Sequence, residues 1–241
     1  MKYVGSKNRI SKYIAPILQK CIDDNDIKVY YEPFVGGANM IDKIRCKNRI
    51  GNDAHRELIS MWNALRGGYQ PPEHISEDEY LKVKDNKSDF PDYYIGYVGF
   101  HSTFGGKYFG GYARSFKEDK ITPRDMSNET YRNTMKQVPS IRDVSFVGWD
   151  YTDIELSNAV IYCDPPYQNT TKYATGVFDY EKFWDWCRKM SKLNYVYISE
   201  YNAPNDFECI WCKDTLVNFD SNRDDNIENK IRTERLFKYR G

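Results

Sequence analysis

Ala159-Val160-Ile161-Tyr162-Cys163-Asp164-Pro165-Pro166-Tyr167 is an apolar, partly β-branched run that stops on an acid, two prolines and an aromatic. Such a run reads as a central strand buried on both faces, and prolines cannot donate to a ladder, so the chain leaves the sheet at Pro165 and Pro166. Asp164 and Tyr167 are then held at the strand's carboxyl end, the edge at which open α/β sheets bind ligands. The tetrapeptide suits the exocyclic amine of a nucleobase. That nitrogen is a poor nucleophile, because its lone pair is delocalised into the ring, and it carries two N–H donors. The Asp164 carboxylate and the Pro165 carbonyl, fixed by the Pro165-Pro166 backbone, supply two acceptors that draw the nitrogen out of conjugation and aim its lone pair. The Tyr167 ring offers a face on which an extruded base stacks. A plain proline-rich turn with a solvated acid has the same residues, so the tetrapeptide alone does not decide.

The chain of 241 residues is long enough for one large domain, or a core with an inserted subdomain. Its 35 Lys and Arg balance 35 Asp and Glu, so a global basic field is excluded and any phosphate-binding surface is local. No apolar run approaches the roughly 20 residues of a membrane span. Met1-Lys2-Tyr3 does not open a secretory signal, and a soluble, intracellular protein is expected. The six cysteines (21, 46, 163, 187, 209 and 212) form no framework and read as reduced thiols, four of them among apolar or aromatic neighbours. Cys209-Ile210-Trp211-Cys212 has a metal-like spacing but falls in an expected strand, where positions three apart face opposite ways, so no metal site is expected.

Working outward, Tyr3-Val4-Gly5-Ser6-Lys7 precedes apolar residues at 10, 14, 17, 18 and 21 that predict a helix, kinked at Pro16. The Gly5-Ser6 turn can bring Lys7 and the Tyr3 ring to a ligand. Val29-Tyr30-Tyr31-Glu32-Pro33-Phe34-Val35-Gly36-Gly37-Ala38 reads as strand and tight glycine turn, and Met40, Ile41 and Ile44 predict a helix after it. Glycines there allow close backbone approach to a ligand, a helix amino end offers free N–H groups, and Glu32 can accept from an amine. The dinucleotide pattern G-x-G-x-x-G is absent, which argues against a nicotinamide cofactor. Arg49-Ile50-Gly51-Asn52-Asp53 is a second strand ending in an acid, before a helix with Leu58, Ile59, Trp62 and Leu65. Asp53 is placed to hold a ribose hydroxyl, to cap that helix, or both.

Residues 67–143 break the β–α alternation. Gly67 to Pro72 is a linker, and Ser76-Glu77-Asp78-Glu79 a capping box opening an acidic helix. Phe100 to Arg114 interleaves aromatics, glycine pairs and bases. Between residues 100 and 142, eight Lys and Arg face four Asp and Glu in an otherwise neutral protein. Basicity with aromatics fits nucleic acid, and Lys107, Arg114, Lys117 and Arg124 are the candidate DNA contacts, although a surface hairpin with solvated charges has the same composition. Alternation resumes with Val144 to Val147, the Asp164 strand, an aromatic helix from Tyr180 to Met190, and a buried strand Tyr195 to Ser199 that sets Glu200 on the same rim as Asp164. Leu216 to Phe219 and Arg235 to Tyr239 are closing strands around a polar loop from Asp220 to Lys230.

Taken together, Tyr3-Val4-Gly5-Ser6-Lys7, Glu32-Pro33-Phe34-Val35-Gly36-Gly37, Asn52-Asp53 and Asp164-Pro165-Pro166-Tyr167 resemble, in order and over nearly the whole chain, the Dam-type (D12 class) DNA adenine methyltransferases. The resemblance implies an S-adenosylmethionine-dependent methyltransferase fold, a Rossmann-like mixed α/β sheet, with the core in 1–66 and 144–241 and a target-recognition insertion in 67–143. It implies cofactor contacts at Tyr3, Lys7, Glu32, Phe34, Gly36, Gly37, Asp53 and Asp164, and catalysis at Asp164, Pro165, Pro166 and Tyr167. Ala38 stands where many relatives have a third glycine, which a helix start tolerates. Gly99 to Arg114 lacks the Asn-Gly and Pro-Gly pattern of the family's recognition hairpin, so a GATC target does not transfer. Glu200 stands where relatives often carry Asn.

The expected activity is methyl transfer from S-adenosylmethionine to adenine N6 in a short site of double-stranded DNA, in the cytoplasm of a bacterial or phage-infected cell, with a cognate restriction enzyme as a candidate partner. RNA adenine or cytosine N4 methylation, and a non-catalytic DNA-binding module, are the alternatives. Intact Lys7, Asp53 and Asp164 argue against the last.

Overall fold

All the side chains of the strand Ala159–Cys163 are buried, and the sheet is arranged around it. The computed structural model describes residues 1–116, 121–167, 178–216 and 231–241. In chain order the elements are α1 (Ser11–Asp24), β1 (Val29–Glu32), β2 (Asn48–Asn52), α2 (Arg56–Arg66), α3 (Glu77–Asp85), α4 (Asp92–His101), α5 (Met126–Gln137), β3 (Val144–Val147), β4 (Ala159–Cys163), α6 (Tyr180–Ser191), β5 (Tyr195–Glu200), β6 (Phe207–Leu216) and β7 (Ile231–Tyr239). They build a seven-stranded sheet in the order β3-β2-β1-β4-β5-β7-β6. The first five strands are parallel, while β7 runs antiparallel between β5 and β6.

The chain moves outward from β1 to β2 and β3 on one side, then returns to lay β4 and β5 on the other. The carboxyl ends of β1 and β4 therefore flank the point where strand order reverses, the crevice in which such sheets bind ligands.

Period-two alternation divides the central strands between two apolar cores. Tyr30, Val160, Tyr162 and Tyr197 face the core shared with α1, α2 and α4; Tyr31, Ala159, Ile161, Cys163, Val196 and Ile198 face the one closed by Phe183, Trp184 and Cys187 of α6. Residues of this size are each worth about 1.5–3 kcal/mol when fully buried. The pattern expected of α1 holds, with Ile14, Leu18 and Cys21 inward, and the helix continues past the exposed Pro16 to Asp24. Ser76 caps α3 by accepting from Glu79 N at 3.1 Å. Helix α4 lies against α2 backbone to backbone: a Cβ on Gly96 would come within 2.2 Å of the Glu57 carbonyl oxygen.

Four expectations are corrected. The glycine turn is followed by a single 3₁₀ turn, Ile41–Lys43, rather than a helix. Ala38 takes the left-handed conformation, φ 52°, and Ile44 is already extended toward β2, leaving no room for helical turns. Ala38 thus adopts the glycine-like geometry itself, at a cost of roughly 1–2 kcal/mol. Helix α2 begins at Arg56, so Asp53 is not its cap; its Oδ1 accepts from His55 N at 3.0 Å and closes the turn before the helix.

Phe100 to Arg114 is no hairpin: it is the end of α4 and a loop closed by one bridge, Thr103 to Tyr112. Phe100 is buried and Tyr108, Phe109 and Tyr112 pack on the same core, because apolar area removed from water outweighs a surface strand pairing. Last, a bulge between Cys209 and Trp211 adds a residue to β6, so Cys209 opposes Phe237 and Cys212 opposes Arg235, on one face. Both thiols are exposed, and among the described residues no group of three or more His, Cys, Asp or Glu is placed to hold a metal. Nor is any helix among them long and apolar enough to cross a membrane.

Candidate active site

The glycine turn after β1 is held from four directions. Val35 N donates to Asn52 O at 2.7 Å and Gly36 N to Asp53 Oδ2 at 3.1 Å, so the ends of β1 and β2 are tied by the acid itself. Trp62 Nε1, from the buried face of α2, donates to Gly36 O at 2.9 Å, and Gln137 Nε2, at the end of α5, to the Gly37 and Ala38 carbonyls at 3.1 and 2.7 Å. The Tyr3 ring closes the fourth side. A Cβ on Gly36 would lie 2.8 Å from that ring, and Gly36 has φ 46°, so only glycine fits. Burial pushes the Asp53 carboxyl above its ordinary value, against the two backbone N–H groups that stabilise its charge.

On β4's side of the crevice, Lys7 of the 3₁₀ turn Lys7–Arg9 reaches the tetrapeptide. Its Nζ is 3.2 Å from Asp164 Oδ1 and 3.6 Å from Glu234 Oε2, and lies 4.0 Å from the centroid of the Tyr167 ring. Burial pushes the Lys7 ammonium down, but the Asp164 and Glu234 carboxylates more than offset it and hold it above its usual value. Asp164 is pushed up to about 7, mainly by burial and further by Glu234 and Glu200, while Lys7 pulls the other way. Tyr180 Oη fixes the turn by donating to Pro166 O at 2.7 Å. Tyr167 Oη donates to Glu234 Oε2 at 3.0 Å, and its ring meets Tyr201 edge-on at 4.5 Å. One ring face read as a stacking platform is thus covered by the Lys7 ammonium.

The other expected residues divide. Glu32 is buried at the end of β1, accepts from Tyr30 Oη at 2.7 Å, and is pushed well above the carboxylate range by burial. Phe34 turns to the α6 side, against Tyr151 at 5.2 Å and Phe183 at 5.8 Å. Lys107 is exposed. Arg114 Nε donates to Glu77 Oε2 at 3.2 Å, and Arg124 Nε to Glu129 Oε1 at 3.0 Å, both on the surface. Lys117 lies outside the described residues, as do positions 217–219 of the first closing strand and the loop from Asp220 to Lys230. Phe104 and Phe116 are the exposed aromatics of this region, at 58% and 56%.

Sequence reading missed Glu234. Its segment was legible as strand only from Arg235, and nothing local says that β7 inserts between β5 and β6 and so reaches Tyr167.

A parallel sheet completed by an antiparallel β7, with acids and a glycine turn at the switch point, is the Rossmann-like mixed sheet of S-adenosylmethionine-dependent methyltransferases. The chain belongs to the D12 class N6 adenine-specific DNA methyltransferase family, whose model matches residues 3–206. It is similar to the modification methylase StsI of Streptococcus sanguinis, at 24% identity over 83% of this chain and 33% of that protein. It is also similar to the type II methyltransferase M.MjaIII of Methanocaldococcus jannaschii, at 25% identity over 75% of this chain and 73% of that one. The chain thus spans about a third of StsI's length and nearly three quarters of M.MjaIII's. The crystal structure of SMU.472 complexed with SAH aligns over 96% of this chain and 53% of its own with a TM-score of 0.34 at 10% identity, too distant to carry an argument.

The residues present fit S-adenosylmethionine. Gly36 and Gly37 pack without side chains against Tyr3, Asp53 presents a carboxylate beside the turn, and the buried ammonium and acids at the rim suit a ligand bearing both charges.

Proposed function

We propose that this chain transfers a methyl group from S-adenosylmethionine to the N6 amine of adenine in a short site of double-stranded DNA. The observation that carries the reading is the juxtaposition at the switch point: Asp164 ends β4 while the Asp53-bound glycine turn ends β1, its neighbouring strand. Gly36, Gly37, Asp53 and Tyr3 hold the cofactor, which when bound supplies a methyl on a positively charged sulfur. Asp164 and the Pro165 carbonyl accept the two N–H groups of an extruded adenine and turn its lone pair toward that methyl. Transfer would form the N–C bond as the C–S bond breaks, with that electron pair left on sulfur, and the proton shed by the methylated amine would pass to water. Tyr167, fixed by Tyr201 and Glu234, holds the base edge-on or face-on once Lys7 draws aside.

Residues 67–143 are the target-recognition part, with Lys107, Arg114 and Arg124 facing DNA on the surface that also exposes Phe104 and Phe116. Ion pairs at such exposure are worth about 0–1 kcal/mol, so Arg114 and Arg124 exchange Glu77 and Glu129 for phosphate or base at little cost. The similarity to a modification methylase and a type II methyltransferase supports a modification role, which we place in the cytoplasm beside a restriction enzyme of the same site. The test is incubation with labelled S-adenosylmethionine and plasmid, followed by identification of the methylated base. Label in N6-methyladenine supports the reading; label in N4-methylcytosine, or none in folded protein, overturns it.

A further inference from the structure

The Asp164 carboxylate expected to receive the target amine is already engaged, through Oδ1, by the Lys7 ammonium at 3.2 Å. Lys7 is only 9% exposed, and an ammonium left without a counter-charge at that burial costs several kcal/mol, so it cannot release Asp164 unless another anion receives it. Glu234 Oε2 is 3.6 Å away. The same oxygen accepts from Tyr167 Oη at 3.0 Å, so one carboxylate of β7 touches both the partner of Asp164 and the side chain that ends the tetrapeptide. It is not spent elsewhere in its ladder: Lys213, opposite Glu234 on β6, donates to Tyr13 Oη at 2.7 Å.

Resting on the function proposed above, we infer that Glu234 is a positioning residue for methyl transfer, which takes over the Lys7 ammonium when Asp164 engages the target amine. The exchange moves a charge by a short swing within a pocket that already holds both anions. It keeps the Lys7 ammonium paired while the amine's N–H groups hydrogen-bond the Asp164 carboxylate, and it clears the face of Tyr167. Around Asp164 the charged and titratable groups are Lys7 from the amino-terminal turn, Glu234 from β7, Glu200 from β5, Glu32 from β1, Tyr162 and Cys163 from β4, and Tyr167 of the tetrapeptide; Tyr201 faces Lys7. Arg235 and Arg232 are engaged with the Tyr201 carbonyl and ring.

The experiment compares wild type, Glu234→Gln and Tyr167→Phe in two readouts. The first is ¹³Cγ NMR of aspartate-labelled protein without cofactor or DNA, assigned with Asp164→Asn, which follows the Asp164 titration. Glu234→Gln keeps an acceptor for Tyr167 but removes the charge, so the Asp164 midpoint falls below that of wild type. The second is steady-state methylation: kcat falls about 10- to 100-fold, as for a misplaced reacting group. Cofactor affinity by calorimetry stays within about twofold, which separates positioning from binding. Tyr167→Phe, which removes only the hydroxyl that Glu234 accepts from, leaves the Asp164 midpoint in place. Unchanged midpoint and kcat in Glu234→Gln overturn the inference, and so does Tyr167→Phe reproducing both losses, which would mean that Glu234 acts through the tyrosine. If Glu234→Gln does not fold, Glu234→Asp keeps the charge with a shorter reach: a lowered kcat with a near-native midpoint supports the inference, and a wild-type kcat overturns it. A wild type that methylates no adenine overturns the proposed function instead, while the NMR midpoint still judges Glu234.

Discussion

Lys7 Nζ and Asp164 Oδ1 are 3.2 Å apart, an ion pair joining the amino-terminal leader to the turn after β4. It ties the 3₁₀ turn Lys7–Arg9 to the end of β4 at the switch point of the sheet.

Replacing Asp164 by Ala removes the acceptor proposed to act on the amine as charge develops. Turnover should fall about 10²-fold or more, as for loss of one oxyanion-hole donor, with DNA binding by mobility shift largely kept. Near wild-type turnover would reduce Asp164 to a turn residue.

The proposed methyl transfer needs Asp164 as a carboxylate, and its pKa is pushed up to about 7. The rate should therefore fall as pH drops below about 7, in a single-turnover pH profile. Stability carries the opposite sign. An acid whose pKa is higher folded than unfolded binds more protons when folded, so between its ordinary 3.8 and about 7 its contribution to stability declines as pH rises. Melting temperatures of wild type and Asp164→Asn across that window should change in the variant's favour with increasing pH.

Cofactor binding should raise the melting temperature, by the equivalent of about 2.7 kcal/mol at a hundredfold excess over Kd. Asp53→Ala loses the bond to Gly36 N together with the proposed ribose acceptor, and should shrink that shift. An undiminished shift in this variant would remove Asp53 from the cofactor site.

Trp62 is fully buried and holds Gly36 O, so Trp62→Ala should cost about 3–5 kcal/mol in urea unfolding. Trp62→Phe keeps most of the volume and loses the bond, and should weaken cofactor affinity more than it lowers stability. The reverse order would separate the core from the glycine turn.

Arg114 is held by Glu77 at the protein surface. If it reads a guanine edge, Arg114→Ala should cost about 1–3 kcal/mol and relax one position of the methylated site, whereas a phosphate contact should weaken binding evenly and lower its salt dependence. Sequencing methylated positions after treatment with wild type, Arg114→Ala and Lys107→Ala distinguishes them. Identical sites and rates in both variants would move recognition elsewhere.

By itself the sequence determined whatever local pattern can encode. The apolar run Ala159 to Cys163 and its stop at Pro165 are decided by side-chain burial and missing N–H groups. The capping box at Ser76 is equally local, as is the pattern of α1. Tertiary structure decided what depends on long-range pairing. Strand order put Asp164 beside the glycine turn, and the antiparallel entry of β7 delivered Glu234 to Lys7 and Tyr167. Ala38 broke an expected helix because the bonds around its turn, from Trp62 and Gln137, outweigh its own conformational preference. The aromatics from Phe100 to Tyr112 went to the core for a similar reason. Composition states that such rings will be buried or will stack, but only the surface already folded beside them decides which, because the hydrophobic effect has no direction of its own.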